Sequence, residues 1–322
     1  MPYSSNIYRK AQRILEQRRD GAVSEAQLRA DEIKSELPEI DEIQKQLSKV
    51  GLETSQLFFY KGNTDEKVAE LRNKSKALIA KRAEILKKNG YSEDAMLPQY
   101  ICSVCEDRGF IGGRMCNCHR QLLKDIMKDE IRKLAPIDDC TFDSFKLEYY
   151  SETPLENSIV PRERASKILE SARRYAQNFS LNSKNLLFLG KTGLGKTHLS
   201  LAIANVVINK GFYVCYGTSQ NICDDLQSEQ FGRGDSAYYS KQQILGCDLL
   251  ILDDLGTEID SQYSIATLYN IINSRILSKK PTVISTNCEL SELLSKYDQR
   301  ITSRITGEYT KMTILGNDIR NM

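Results

Sequence analysis

Long apolar runs are missing from this chain of 322 residues. No stretch approaches the roughly 18–20 residues that crossing a bilayer requires, and the segment Leu249–Leu252 is bracketed at once by Asp248 and Asp253. The N-terminal residues Met1 to Gln17 are charged and lack the apolar core of a secretory signal. An excess of either charge is missing too: 45 basic side chains face 43 acidic ones, a formal net charge of +2. The total therefore points to no polyanionic partner. Nine cysteines, an odd count in a chain without an export signal, argue against a disulfide framework. Internal repeats and low-complexity tracts are absent as well. What remains is an ordinary globular composition, 40% hydrophobic and 27% charged, and a cytoplasmic protein is expected. At roughly 100–200 residues per domain, the length predicts two domains.

The first hundred residues read as helices. Ser24 with Gln27 has the form of a capping box, and Leu28, Ile33 and Leu37 are spaced to share a face. Pro38 is expected to end that helix or open the next, which carries Ile40, Ile43, Leu47 and Val50 and stops at Gly51. Thr64 can cap a further helix bearing Val68, Leu71, Leu78, Ile85 and Leu86, ended by Asn89-Gly90. A small helical bundle or hairpin is the expectation, with nothing catalytic in it.

The second half changes character. Apolar strands at Leu186–Leu189, Phe212–Tyr216, Leu249–Leu252 and Thr282–Ser285 alternate with helical segments near His198–Lys210, Gln220–Gln230, Tyr263–Leu277 and Glu289–Lys296. That alternation predicts an α/β domain with a largely parallel sheet. The boundaries expected are a helical N-terminal domain over 1–98, a cysteine-rich segment over 99–122, a linker over 123–160 and the α/β domain over 161–322.

The sharpest motif is Gly190-Lys191-Thr192-Gly193-Leu194-Gly195-Lys196-Thr197, which fits G-x-x-x-x-G-K-[ST] between a strand and a helix. Glycines let the loop wrap a phosphate with its backbone N–H groups turned inward. The helix that follows offers its positive end to the same anion. Lys196 is expected to reach the β- and γ-phosphates of ATP, and the Thr197 hydroxyl to ligate Mg²⁺. A second acidic site follows the next-but-one strand at Asp253-Asp254. Asp253 is expected to hold Mg²⁺ through its water shell and Asp254 to polarise the attacking water; the bland alternative is a pair of turn acids at a strand end. Strand Pro281–Ser285 leads into Thr286-Asn287, where a polar side chain would stand beside that water. Further on, Arg300 and Arg304 lie at i and i+4 of one helix face. They are either two solvated arginines or a finger reaching a neighbouring subunit's γ-phosphate, with Arg304 the better candidate and Arg300 the alternative.

Four cysteines, Cys102, Cys105, Cys116 and Cys118, form two short chelating pairs bridged by a loop with Gly109, Gly112 and Gly113. Four thiolates so arranged suit a closed tetrahedral Zn²⁺ site, with His119 an alternative to Cys118. No thioredoxin-like pattern surrounds the pair, so redox chemistry is not expected, and four closed ligands leave no position for catalysis. The other five cysteines are expected to be small buried apolar residues.

The order of these motifs resembles the DnaC/DnaI-type helicase loaders and their IstB relatives, within the AAA+ ATPases. Thr141-Phe142-Asp143-Ser144-Phe145 with Tyr149-Tyr150-Ser151 is similar to that group's entry into the ATPase core. The resemblance implies a P-loop AAA+ core without a C-terminal lid, with Asn287 as sensor 1 and Arg320 as a sensor-2-like nucleotide contact. Asp254 stands where AAA+ proteins at large carry Glu, although Asp-Asp occurs in the loader group. The resemblance further implies slow, assembly-dependent ATP hydrolysis, self-association through the AAA+ domain, and an N-terminal zinc domain that contacts a hexameric replicative DNA helicase. Single-stranded DNA binding follows from the family alone. Two other functions fit the same core: an ATPase partner of a transposase, or a non-hydrolysing, ATP-gated adaptor.

Overall fold

The computed structural model describes residues 4–57, 65–156, 158–232 and 238–319. The chain divides into two compact units, Gln12–His119 on one side and Met1–Ala11 with Arg120–Met322 on the other. Among the described residues, no helix is long and apolar enough to cross a membrane.

Helix α1 (Ser5–Glu36) runs straight through Ser24, so the capping box expected there does not form. The reason is a continuous apolar stripe: Leu15, Ala22, Ala26, Ala30 and Ile33 are all buried, and alanine, the best helix former, carries the apolar face across the serine. Leu28, expected on that face, is exposed. Helix α2 (Pro38–Leu57) opens with its proline at the first position and buries Ile40, Ile43 and Val50. It passes Gly51 without stopping. Helix α3 (Asp65–Lys88) packs on α2, buries Leu71 and Leu86, and gives way at Gly90, whose φ is +81°. Ile33, Ile40 and Leu86 meet in one cluster, with Leu37, Ile85, Tyr91 and Met96 against it. The cap expected at Thr64 lies outside the described residues.

A two-stranded antiparallel hairpin follows, β1 (Phe110–Ile111) with β2 (Arg114–Met115), and then helix α4 (Asn117–Arg132). Among its described residues, the segment between α4 and Pro161 holds one short 3-10 turn, Leu147–Tyr149, and buries Ile137, Phe142, Phe145 and Tyr150. Helix α5 (Pro161–Gln177) again begins on a proline.

The α/β fold is built on five parallel strands: β3 (Asn185–Leu189), β4 (Val214–Thr218), β5 (Leu249–Leu255), β6 (Thr282–Thr286) and β7 (Tyr309–Thr313). Their spatial order is β4-β5-β6-β3-β7. Strands β3, β5 and β6 are buried along almost their whole length, as near-continuous apolar runs in a covered parallel sheet must be. Helices α6 (Lys196–Asn209), α7 (Ser219–Gln230), α8 (Lys241–Gly246), α9 (Gln262–Leu277), α10 (Leu290–Lys296) and α11 (Gln299–Glu308) connect them. Four strands match the sequence expectation to within two or three residues. The fifth, β7, went unread because Tyr-Thr-Lys-Met-Thr buries little more than Tyr309 and Met312 at the sheet edge. This order sets β3 between β6 and β7, and β6 beside β5. Loops leaving those strands at their C-terminal ends therefore meet, which is where ligands bind in open α/β sheets.

Candidate nucleotide site and cysteine cluster

The loop Gly190–Gly195 leaves β3 and enters α6 at Lys196. Close approach of other backbone explains its first glycine: a Cβ on Gly190 would stand 2.5 Å from the Ile314 carbonyl oxygen, beyond β7. Gly195, the N-cap of α6, has a φ of +76°, which side-chain-bearing residues rarely adopt. Lys196 is buried, and its Nζ donates to the carbonyls of Gly190 and Lys191 at 2.7 and 2.8 Å and to Asn287 Oδ1 at 2.6 Å.

Asn287 follows β6, the neighbour of β3. Its Nδ2 donates to Asp254 Oδ1 at 3.1 Å. One amide side chain thus bridges the loop lysine and the second acid of the Asp253-Asp254 pair. The strand does not end before that pair, as expected, but continues to Leu255 through a register shift between Leu252 and Leu255 against β6. Asp254 sits in the bulge with φ at +52°, and bulges of this kind re-aim a side chain. Its N–H donates to Ser285 Oγ, and its carbonyl accepts from Ser219 Oγ and Thr257 Oγ1. Asp253 is buried. Its Oδ2 accepts from the Tyr216 hydroxyl at 2.9 Å and its Oδ1 from Ser285 Oγ. Burial, then the Asp253 charge, pushes the Tyr216 phenol well above its usual range, so it stays a donor. Tyr216 and Ser285 escaped the sequence reading because strand side chains facing inward carry no motif of their own.

Arg300 and Arg304 do share a face of α11, both over the Tyr269 ring of α9, at 5.2 and 5.1 Å from its centroid. Arg304 Nε donates to Asn273 Oδ1 at 2.7 Å. Arg300 pairs with Asp298. Arg320 lies outside the described residues.

The sulfur atoms of Cys102, Cys105, Cys116 and Cys118 all lie within 4.8 Å of one another. Cys102 and Cys116 are 3.9 Å apart, Cys105 and Cys118 3.3 Å. Tetrahedral thiolates at Zn–S of about 2.3 Å stand roughly 3.8 Å apart, so the cluster fits such an ion with little movement. Gly109 N–H donates to Cys105 Sγ, and the Asp107 carboxylate accepts the amides of Ile101 and Cys102, fixing the first knuckle. The Cys105 backbone amide is the main influence lowering the Cys102 thiol to about 7, while burial pushes Cys118 up. His119 is buried edge-on against Phe110, 5.1 Å between ring centroids. Of the remaining cysteines, Cys140, Cys215, Cys223 and Cys247 are buried as expected and Cys288 is half-buried; burial raises Cys140 to about 11 and Cys223 to about 12.

Residues 163–320 match the family of IstB-like ATP binding proteins. Over those residues, just under half of its length, the chain is similar to an IstB-like ATP-binding domain. Among curated proteins, it is similar to the replicative helicase loader DnaC of Escherichia coli K12, 30% identical over 150 residues, 47% of this chain and 61% of that one. The loader of Buchnera aphidicola subsp. Baizongia pistaciae is 28% identical over 162 residues, 49% of this chain and 65% of that one. The match thus spans less than two thirds of these relatives. A crystal structure of the DnaC helicase loader aligns with 56% of this chain and 99% of its own, at 24% identity and a TM-score of 0.46. The ATP-binding domain so matched holds the loop, both acids, Asn287 and both arginines; the cysteine cluster lies outside it.

Proposed function

We propose that this protein is an ATP-hydrolysing DNA replication factor that loads a hexameric helicase. The observation that carries the enzymatic half is the Asn287 bridge between Lys196 and Asp254, since a γ-phosphate held by the lysine is then flanked by the groups that orient and polarise water. In this reading the backbone of Gly190–Thr197 cradles the phosphates, and Lys196 exchanges the two loop carbonyls for β- and γ-phosphate oxygens. Mg²⁺ would be held by Thr197 and, through water, by Asp253, and would neutralise developing charge on the phosphates. Asp254 takes the proton of the attacking water, and Asn287 fixes the water's position. Arg304, freed from Asn273, completes the site of a neighbouring subunit, and Arg320 contacts the nucleotide from its own chain. Beside the loop, a cavity of about 430 Å³ lined by Leu155, Leu189, Leu194, Leu290 and Ile314 is apolar enough for the adenine base.

The partner half is supported by the names of the curated relatives and by the helical unit with its Zn²⁺-fitting cysteines, which the core of an ATPase does not need. ATP turnover measured with and without single-stranded DNA tests the enzyme. A pull-down of the intact protein from its own cell extract tests the partner: a replicative helicase in the eluate supports the loader, a transposase replaces it. Absence of turnover under both conditions, with ATP bound, would leave an ATP-gated adaptor.

A further inference from the structure

The segment Thr141–Tyr150 precedes the residues matched to the ATP-binding family, yet it forms the outer wall of the phosphate loop. Tyr150 is 2% exposed and donates its hydroxyl to the Leu194 carbonyl at 2.9 Å. In a trans peptide the C=O and the following N–H point in opposite directions. Drawing the Leu194 oxygen outward therefore turns the Gly195 N–H to the opposite side, into the loop's concavity. We propose that Tyr150 is a positioning residue of the nucleotide site, holding the Leu194–Gly195 peptide in its phosphate-binding orientation. This rests on the reading of Gly190–Thr197 as the ATP site.

The tyrosine is itself held at both ends. Arg162 Nε donates to the Tyr150 carbonyl at 2.9 Å and Nη2 to the Glu148 carbonyl at 3.1 Å, while Arg162 also pairs with Glu152. The Tyr150 ring stacks on Phe145, with centroids 5.7 Å apart and planes 24° apart. Phe145 in turn lies edge-on to His198 in the first turn of α6, and His198 Nε2 donates to the Thr141 carbonyl at 2.7 Å. The ring pair presses on the loop backbone itself: a Cβ on Gly195 would come within 2.7 Å of Phe145 Cε2 and 3.2 Å of the Tyr150 hydroxyl. Packing alone would be served by phenylalanine at position 150. Only the hydroxyl has the loop carbonyl as its target, and it arrives from a buried ring with no freedom to search. The loop is thus held from outside the glycine-rich motif, and nucleotide bound there should also steady the segment Thr141–Tyr150.

The test compares Mg–ADP and Mg–ATP affinities of the full chain, Tyr150→Phe and Lys196→Ala, alongside thermal midpoints without nucleotide. Loss of one hydrogen bond that orients a binding group corresponds to roughly three- to tenfold in affinity. That loss is expected in Tyr150→Phe for both nucleotides, with kcat changed less than KM. Parental affinity in Tyr150→Phe, while Lys196→Ala binds about 10–10²-fold more weakly, overturns the positioning role and leaves the ATP site intact. Equal binding by the parent and Lys196→Ala overturns the ATP site and this proposal with it. If Tyr150→Phe does not fold, amide exchange on the parent decides: Mg–ADP is expected to slow exchange in residues 141–150 as well as 190–197. Slowing confined to 190–197 would overturn the link.

Discussion

The cysteine cluster and the phosphate site are both shaped for a charged guest, but they are assembled over opposite ranges of sequence. The cluster takes all four sulfurs from residues 102–118, a hairpin of two-residue strands and the first turn of α4. The phosphate site joins Lys196 to Asn287, 91 residues on, and Asn287 to Asp254, 33 residues back. A short chelating loop costs little chain entropy to close but buries little apolar surface of its own, so on the proposed zinc reading its order would depend on the ion. The phosphate site costs far more closure, and the buried sheet supplies it before any nucleotide arrives. On that reading one site would be folded by its guest and the other is folded ahead of it.

Removing ligands should therefore act oppositely at the two places. The largest effect is expected from Cys102→Ser with Cys105→Ser. Structural zinc contributes roughly 10–16 kcal/mol of apparent binding energy in zinc-finger peptides at about neutral pH, so residues 100–122 should lose their fold, and bound zinc should vanish by metal analysis. ATP affinity should stay at the parental value. A parent purified without chelators and free of zinc refutes the metal site; a variant that loses ATP binding as well breaks the distinction between the two sites.

At the phosphate site, single substitutions should remove chemistry and leave the fold. Asp254→Asn keeps ATP affinity and lowers turnover by about 10²–10⁴, the range for a lost general base. Lys196→Ala weakens ATP binding by about 10–10², the value of a charge-assisted hydrogen bond or two. Unfolding of either variant, seen by thermal melting, would show that this site too depends on its polar groups for order. Arg304→Ala should lower turnover by on the order of 10-fold, less than the 10³–10⁵ of the best-studied fingers. Its Kd for ATP should stay near the parental value. Mixing it with Lys196→Ala should restore part of the activity, since each chain supplies what the other lacks; no recovery at any ratio removes the trans role.

The same difference in range decides what the sequence could reveal. Gly190–Thr197 and the four cysteines are local patterns, legible because their chemistry needs fixed residues at fixed spacing. Asn287 was legible only through the resemblance to a known family, because nothing in Thr286-Asn287 itself says which strand stands next to β6. Tyr216 and Ser285 were invisible for that reason. They read as strand residues until the sheet order places them on Asp253. The helix through Ser24 was misread for a different one: alanines at 22, 26 and 30 bury a face without looking apolar enough to mark it. Strand β7 was lost to its exposed polar residues at the sheet edge.

Glu258 gives the most specific check on long-range assembly. It is buried just beyond the Asp253-Asp254 bulge, its Oε2 accepting from Ser219 Oγ at 2.7 Å and Gly256 N–H at 3.0 Å and its Oε1 from the Tyr297 hydroxyl. Lys296 Nζ stands 3.7 Å away. Burial by itself raises the carboxyl, but the Tyr297 and Ser219 donors outweigh it, and the group is held below its ordinary value of 4.5. A depressed folded pKa means the unfolded chain takes up the proton first, so this stabilisation is complete above about pH 4.5 and is lost as pH falls through the lower folded value. Glu258→Gln removes the charge but keeps the shape. It should destabilise the ATP-binding domain by about 1.5–3 kcal/mol at neutral pH, the range for hydrogen bonds to a charged group. The gap to the parent should narrow steadily in denaturant titrations carried below about pH 4, and zinc content should not change at any pH where the parent keeps its own. A gap of constant size from about pH 3 to pH 7 would mean that the amide's altered hydrogen bonding, and not the lost charge, accounts for the difference.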